Sequence, residues 1–398
     1  MVADKKDFWR YKMQINLRSL IEGLSYALDA AEKTYFSHSK HVAYLSVMIA
    51  KQMKLTAELQ EDLYYAALMH DIGASNTYLL EDHCRIGRDI VSKLPVKKEI
   101  AQYIYYHHEF YNGTGPFQLK EDEIPLLAQI ICISNTFELQ FGRKVLLNYE
   151  TSINMKNWIH NNQELFHPEI VNALQNLIEK EYILLDNYMY EFSDILAKRI
   201  ETVGRNLDFD EVELFANAFS KIIDNRSPFT YEHSKGIANL VKTITEQLNY
   251  EQEIQNKMYI AALLHDIGKL VISNDIIDKK DKLNDEERYE INKHTYYTRW
   301  ILEQIDGFED ITDYAANHHE KLNGSGYPYH KDANQLGELE RIMAICDIYQ
   351  ALTEDRPYRM RLSKEKVWSI ISNMVRKNEL DGNLVDKIKI ILKHKGGI

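Results

Sequence analysis

Two stretches of this chain carry the same set of imidazoles and carboxylates at the same spacing. The first begins HSKHVAYL at His38 and ends ALMHDIG at Gly73; the second begins HSKGIANL at His233 and ends ALLHDIG at Gly268. Each places a His-Asp pair 32 residues after its first histidine, His70 with Asp71 and His265 with Asp266. His83 then precedes the pair His107 and His108 by 24 residues, and His294 precedes His318 and His319 by the same 24. In the second stretch Asp347 stands between Ile345 and Ile348 in RIMAICDIYQAL, a segment nearly free of charge. A carboxylate desolvated there is costly unless it is paired or coordinates a metal. A lone histidine on an apolar face is ordinarily a satisfied core residue, but five histidines and two aspartates together shift the balance toward metal ligands. Imidazole with carboxylate suits iron, manganese or zinc, and the absence of cysteine from the set disfavours a closed structural zinc site.

Helices are the elements that must position these groups. Ile237, Leu240, Val241, Ile244 and Leu248 recur at steps of three and four, which predicts an amphipathic helix starting just after His233. Ile311, Tyr314, Ala315 and His318 follow the same rule, as do Ile100, Tyr103, Ile104 and His107, so the first histidine of each pair is expected on an apolar face. His318 and His319 are about 100° apart on a helix and cannot share one stripe. They can straddle a cluster of two ions, with Asp266 suited to bridging.

The repeat spans whole domains. At 398 residues the chain is too long for one ordinary core, and the anchors place one domain near residues 1–190 and another near 205–398. The stretch between them, from EIVNALQ to AKRIETV, lacks proline and glycine, and its latter part is expected to be a helical connector. With 7 prolines and 16 glycines the fold class expected is all-α. MVADKKDFWR is no signal peptide and no apolar run is long enough to span a bilayer, which predicts a cytoplasmic protein without a membrane partner. Cys84, Cys132 and Cys346 form no CxxC pair and are expected as packing residues. A net charge of -12 argues against binding a DNA or RNA duplex, so an anionic substrate needs locally concentrated cations.

The strings HHEKLNGSGYP and RIMAICDIYQALTEDRPYR, with HDIGK before them, resemble the HD-GYP branch of the HD superfamily of metal-dependent phosphohydrolases. The resemblance covers the second domain almost end to end. It implies two HD-type helical bundle domains in tandem, and phosphodiesterase activity of the second on a bacterial cyclic dinucleotide, cyclic di-GMP or 3',3'-cyclic GMP-AMP. By the same resemblance the metal ligands are His233, His265, Asp266, His294, His318, His319 and Asp347. Lys269, Arg356 and Arg359 correspond to substrate-phosphate contacts, with Gly326 and Tyr327 in the loop at the rim. Phe229 stands where three-metal members have an acid, so two divalent ions, iron or manganese, are expected. Such a pair acidifies a shared water and stabilises charge on phosphoryl oxygens, Asp266 bridging the ions. Lys269 is expected to touch only substrate, as a point charge, and the arginine forks to bind phosphate bidentately.

The first copy departs from this pattern. Asp347 corresponds to Asn135, Lys269 to Ala74, RPYR has no counterpart, and GYP has become Gly115, Pro116 and Phe117. That half reads as a regulatory or dimerisation domain, its partner a second copy of the chain or a signalling protein. Competing readings of the whole are a non-catalytic nucleotide-binding scaffold, against which the second ligand set counts, and an HD phosphohydrolase acting on mononucleotides, which GYP and RPYR disfavour. The residues leave open the bases, the metal, and whether the linear product is cut again to mononucleotides.

Overall fold

The computed structural model describes residues 14–32, 34, 36–73, 79–142, 148–187, 189, 192–225, 233–279, 281–354 and 360–394. Ala74, Phe229, Arg356 and Arg359 lie outside the described residues. The architecture is all-α; the strands Ile15–Asn16 and Asn206–Leu207 form one short antiparallel pair. No helix among the described residues is long and apolar enough to cross a membrane. The three cysteines are buried free thiols.

Contacts divide the chain into two units. The first runs from Leu24 to Arg205. The second runs from Asn206 onward and also takes in the residues up to Gly23, through the pairing of Ile15 with Leu207 and a hydrogen bond from the Asp306 amide to Ser19 Oγ at 2.8 Å. The segment expected to connect the halves consists of the helices Pro168–Ile178, Tyr182–Asn187 and Phe192–Arg199, so it is helical but made of short pieces.

In the second unit the helix His233–Gln247 begins at its histidine, as the periodicity requires, and buries Ile237, Val241 and Ile244 while Leu240 and Leu248 are half-buried. Each fully buried aliphatic side chain contributes about 1.5–3 kcal/mol, and that face holds the helix against Gln252–Leu264. The helix Asp285–Leu302, which carries His294, starts at a capping box: Asn284 Oδ1 accepts from the Glu287 amide at 2.8 Å, and Glu287 Oε2 accepts from the Asn284 amide at 2.9 Å. Glu338–Thr353 carries Asp347. The helix Glu309–Ala316 ends before its histidine pair, so His318 is not on the helix as its spacing suggests; it sits in the turn after the Asn317 cap, still buried. Lys98–Tyr105 in the first unit ends the same way before His107. The first unit repeats the other elements, His38–Gln52, Ala57–Leu68, Leu80–Val91 and Leu126–Phe141 taking the corresponding places.

Candidate metal centre

The second unit brings all seven anticipated ligands together. Ligand atoms of His233, His265 and Asp347 form one close group, those of His294, His318 and His319 another, and His265, Asp266 and His318 join them, each group lying within 4.8 Å. All but His319 are buried. Asp266 faces both groups. Its Oδ2 is 3.2 Å from His265 Nε2, and its Oδ1 is 3.4 Å from His294 Nε2 and 3.9 Å from His318 Nε2. Asp347 likewise spans two histidines, with Oδ1 at 3.8 Å from His233 Nε2 and Oδ2 at 3.7 Å from His319 Nδ1.

Local backbone geometry aims the rings. His265 donates its Nδ1 proton to the Ala262 carbonyl at 2.8 Å, and His294 and His318 donate theirs to Ile291 and Ala315 at 2.6 Å each. With Nδ1 committed, the second nitrogen of each neutral ring is a lone pair pointing inward. The Nε2 atoms of His294 and His318 then face each other at 3.4 Å beside a carboxylate oxygen, and His265 Nε2 is buried with no hydrogen-bond partner. Acceptors converging on acceptors in a buried site call for a cation among them. The residues therefore fit a metal centre.

The electrostatics agree. Burial disfavours charge on His265, but the carboxylates of Asp266 and Asp347 outweigh it and push the ring up to about 9, a measure of how strongly the site attracts positive charge. Burial also works against the Asp266 carboxylate, yet His265 and Lys269 hold it well below the usual range. Burial drives His294 down to about 3 and His318 to about 4, and puts His319 well below its ordinary value, leaving neutral imidazoles ready to ligate.

Lys269 departs from expectation. Its Nζ forms an ion pair with Asp266 itself, because the 3-10 turn from Ile267 to Val271 folds the lysine back over the carboxylate. Gly326 is buried, and a Cβ there would press on the Lys321 amide and the His319 carbonyl, so its residue type is explained by close packing of the loop on the histidine turn. The Tyr327 ring lies 5.0 Å from that of His319 and 6.4 Å from that of His294, beside the centre.

Several contributors escaped the sequence reading. Glu320 holds the GYP loop by accepting from the amides of Tyr329 and Lys331 at 2.8 and 2.9 Å; Glu109 does the same for Phe117 and Leu119. The repeated HHE triplet was the available signal. Gly268 lets the backbone of Asp285–Leu302 approach, since a Cβ would collide with the His294 carbonyl, and Thr298 Oγ1 donates to the His265 carbonyl at 2.9 Å while accepting from the Gly268 amide at 3.1 Å. Glu354 stands against His233, with nothing in the spacing to announce it.

In the first unit the same turns aim His70 at Ala67 and His107 at Ile104. Asn135, in place of a carboxylate, engages His38 Nε2 at 3.1 Å.

Comparison with known proteins agrees with this geometry. The family model described as HD domain matches residues 23–154 and 217–384. The chain is 28% identical over 401 residues to the 3'3'-cGAMP-specific phosphodiesterase 1 of Vibrio cholerae, covering 94% of this chain and 91% of that protein. It is 31% identical over 298 residues to phosphodiesterase 3 of the same name and organism, covering 74% of this chain and 63% of that one. A cyclic di-GMP phosphodiesterase of Pseudomonas aeruginosa is 32% identical over 156 residues, 39% of this chain and 36% of that protein. The crystal structure of the cyclic GMP-AMP specific phosphodiesterase V-cGAP3 of V. cholerae superposes with a TM-score of 0.70 at 24% identity, over 96% of this chain and 98% of that one, and shares its fold. With two matched segments, a His-Asp centre in the second unit and the GYP string beside it, the chain belongs to the HD domain family as a tandem HD-GYP protein.

Proposed function

We propose that the second unit is a phosphodiesterase that opens a cyclic dinucleotide, 3',3'-cyclic GMP-AMP or cyclic di-GMP, to its linear form. His233, His265, Asp266 and Asp347 on one side, and Asp266, His294, His318 and His319 on the other, would hold two divalent transition-metal ions, iron or manganese. The observation that carries this reading is Asp266, whose two oxygens face the two histidine groups separately. HD-domain phosphodiesterases are metal-dependent, and the relatives named above act, by name, on substrates of one bond class. When bound, such a metal pair supplies Lewis-acid charge to a phosphoryl centre and lowers the pKa of bound water.

The protein's own groups do the rest. The carboxylates of Asp266 and Asp347 give the centre its negative charge, and the backbone carbonyls of residues 262, 291 and 315 keep three rings in the ligating tautomer. Lys269, partly exposed over Asp266, is placed to meet a phosphate oxygen that approaches the centre. Tyr327 lines the edge at His319, and Gly326 sets the loop that presents it. Arg356 and Arg359 are assigned to substrate phosphate on residue type and position in RPYR. These contacts recognise phosphodiester and metal, not bases, so both nucleotides remain candidates. The first unit, with Asn135 at the ligand position, is assigned to regulation or dimerisation.

Incubating the metal-replete full chain with each nucleotide and resolving the products tests the reading. A linear dinucleotide from at least one is expected, and after anaerobic loading with iron or manganese elemental analysis should find about two ions per chain more than in the His265→Ala, Asp266→Ala variant. Failure to consume either nucleotide under those conditions overturns it.

A further inference from the structure

The first unit contains a second concentration of buried imidazoles that the proposed catalysis does not use. Ligand atoms of Asp71, His83, His107 and His108 all lie within 4.8 Å of one another, a four-residue group. His107 donates Nδ1 to the Ile104 carbonyl at 2.6 Å, so its Nε2 is an inward lone pair, fully buried and without a hydrogen-bond partner. His83 Nε2, also buried, stands 3.5 Å from Asp71 Oδ1, and His70 Nε2 stands 3.1 Å from Asp71 Oδ2, without hydrogen-bond geometry in either case. Lone pairs thus converge on a carboxylate here as they do in the second unit, and a buried arrangement of that kind needs a cation.

The two halves of this cluster differ. On the side of His38 and His70 the carboxylate corresponding to Asp347 is absent, and Asn135 Oδ1 accepts from His38 Nε2, which occupies that nitrogen. On the side of His83, His107 and His108 nothing has been substituted. A cavity of about 310 Å³ opens onto both sides, lined by Glu32, His38, Asp71, His83, His108 and Asn135 among others, and provides an entry path.

We propose that the first unit holds one divalent transition-metal ion on Asp71, His83, His107 and His108, in a site without hydrolytic function. Three imidazoles and one carboxylate satisfy such an ion with room for solvent or a small ligand from the cavity, and Asn135 in place of a carboxylate gives a partner ion on His38 and His70 a neutral ligand where the second unit has Asp347. The inference rests on the first unit's geometry and stands or falls independently of the reaction assigned to the second.

The test is a metal count on the full chain, stripped with chelator, reloaded with Co²⁺ and desalted. His83→Gln with His107→Gln is expected to hold one Co²⁺ fewer per chain than the unsubstituted protein, with the circular dichroism melt showing a folded chain. A difference of zero overturns the site, and a difference of two overturns the single-ion assignment. His108→Gln, at the partly exposed member of the group, guards against misfolding of the double variant: it is expected to weaken one Co²⁺ per chain by on the order of ten-fold or more. Unchanged affinity in a folded His108→Gln chain overturns the proposal. Asn135→Asp is expected to add one further Co²⁺ per chain by supplying the missing anion, and no added ion would contradict the reason given for single occupancy.

Discussion

The Nδ1 of His233 lies 2.6 Å from Oε2 of Glu354, which backs this imidazole with a carboxylate. The rings of His265, His294 and His318 are backed by peptide carbonyls. Glu354 is itself held by Gln350 Nε2 at 2.5 Å, one turn earlier on the same helix. A carboxylate behind a ligating histidine fixes its tautomer and raises its basicity. Counting as far beyond Asn135 as Glu354 lies beyond Asp347 reaches Gly142, so the corresponding position of the first copy carries no carboxylate.

Glu354→Ala is therefore expected to weaken metal binding in the second unit by roughly 10- to 100-fold, the range for lost partners of metal-bound histidine. Glu354→Gln, which can still accept the hydrogen bond but carries no charge, should lose less. Chelator competition measures both; affinities equal to that of the native chain would remove Glu354 from the centre.

Asp266→Ala should abolish metal binding by the second unit and activity together, since both of its oxygens face histidine groups. Lys269→Ala should behave differently. Removing a cation that competes for Asp266 should leave metal content intact or bind it more tightly, while turnover falls on the order of 10² if the lysine meets the transition state. Elemental analysis beside steady-state rates separates the two. Loss of metal in Lys269→Ala would show that the lysine holds the site together.

The halves should be unequal in turnover. Replacing His265 and Asp266 by alanine should eliminate activity, and replacing His70 and Asp71 should preserve it, because His38 is engaged by the neutral Asn135 in the first unit whereas its counterpart His233 faces the carboxylate of Asp347 in the second. Product assays on both double variants, with melting curves to confirm folding, decide this. Activity lost only through the first pair would reverse the assignment.

Burial pushes the Asp224 carboxyl up to about 6, although the Ser234 hydroxyl that it accepts at 2.8 Å favours the anion. The folded chain then keeps a proton between about pH 4 and 6 that the unfolded chain has released. This contribution to stability is present below about pH 4 and is lost as pH rises through 6, roughly 3 kcal/mol at most. Denaturant unfolding of the metal-free chain and of Asp224→Asn should show the native protein losing stability relative to the variant from pH 4.5 to 7. A constant difference across that range would mean that the carboxyl titrates normally.

The sequence by itself determined the helical class, the doubling and which histidines and aspartates come together in the second unit. Its histidines recur at spacings of 32 and 24 residues in both copies, and the period of the apolar residues turns one face of each helix inward. Those signals are local or repeated, so they survive in one dimension. Which groups stand behind the ligands was decided only by the tertiary structure. Glu354 meets His233 across 121 residues of chain, and Thr298 meets the His265 carbonyl across 33. The union of Ile15 with Leu207 likewise assigns the residues up to Gly23 to the second unit against their place in the sequence. Lys269 was misread for a related reason: spacing puts it one turn from Asp266 but says nothing of where a flexible four-carbon stem carries its charge. In the fold an anion too deeply buried to remain unpaired draws that charge onto itself.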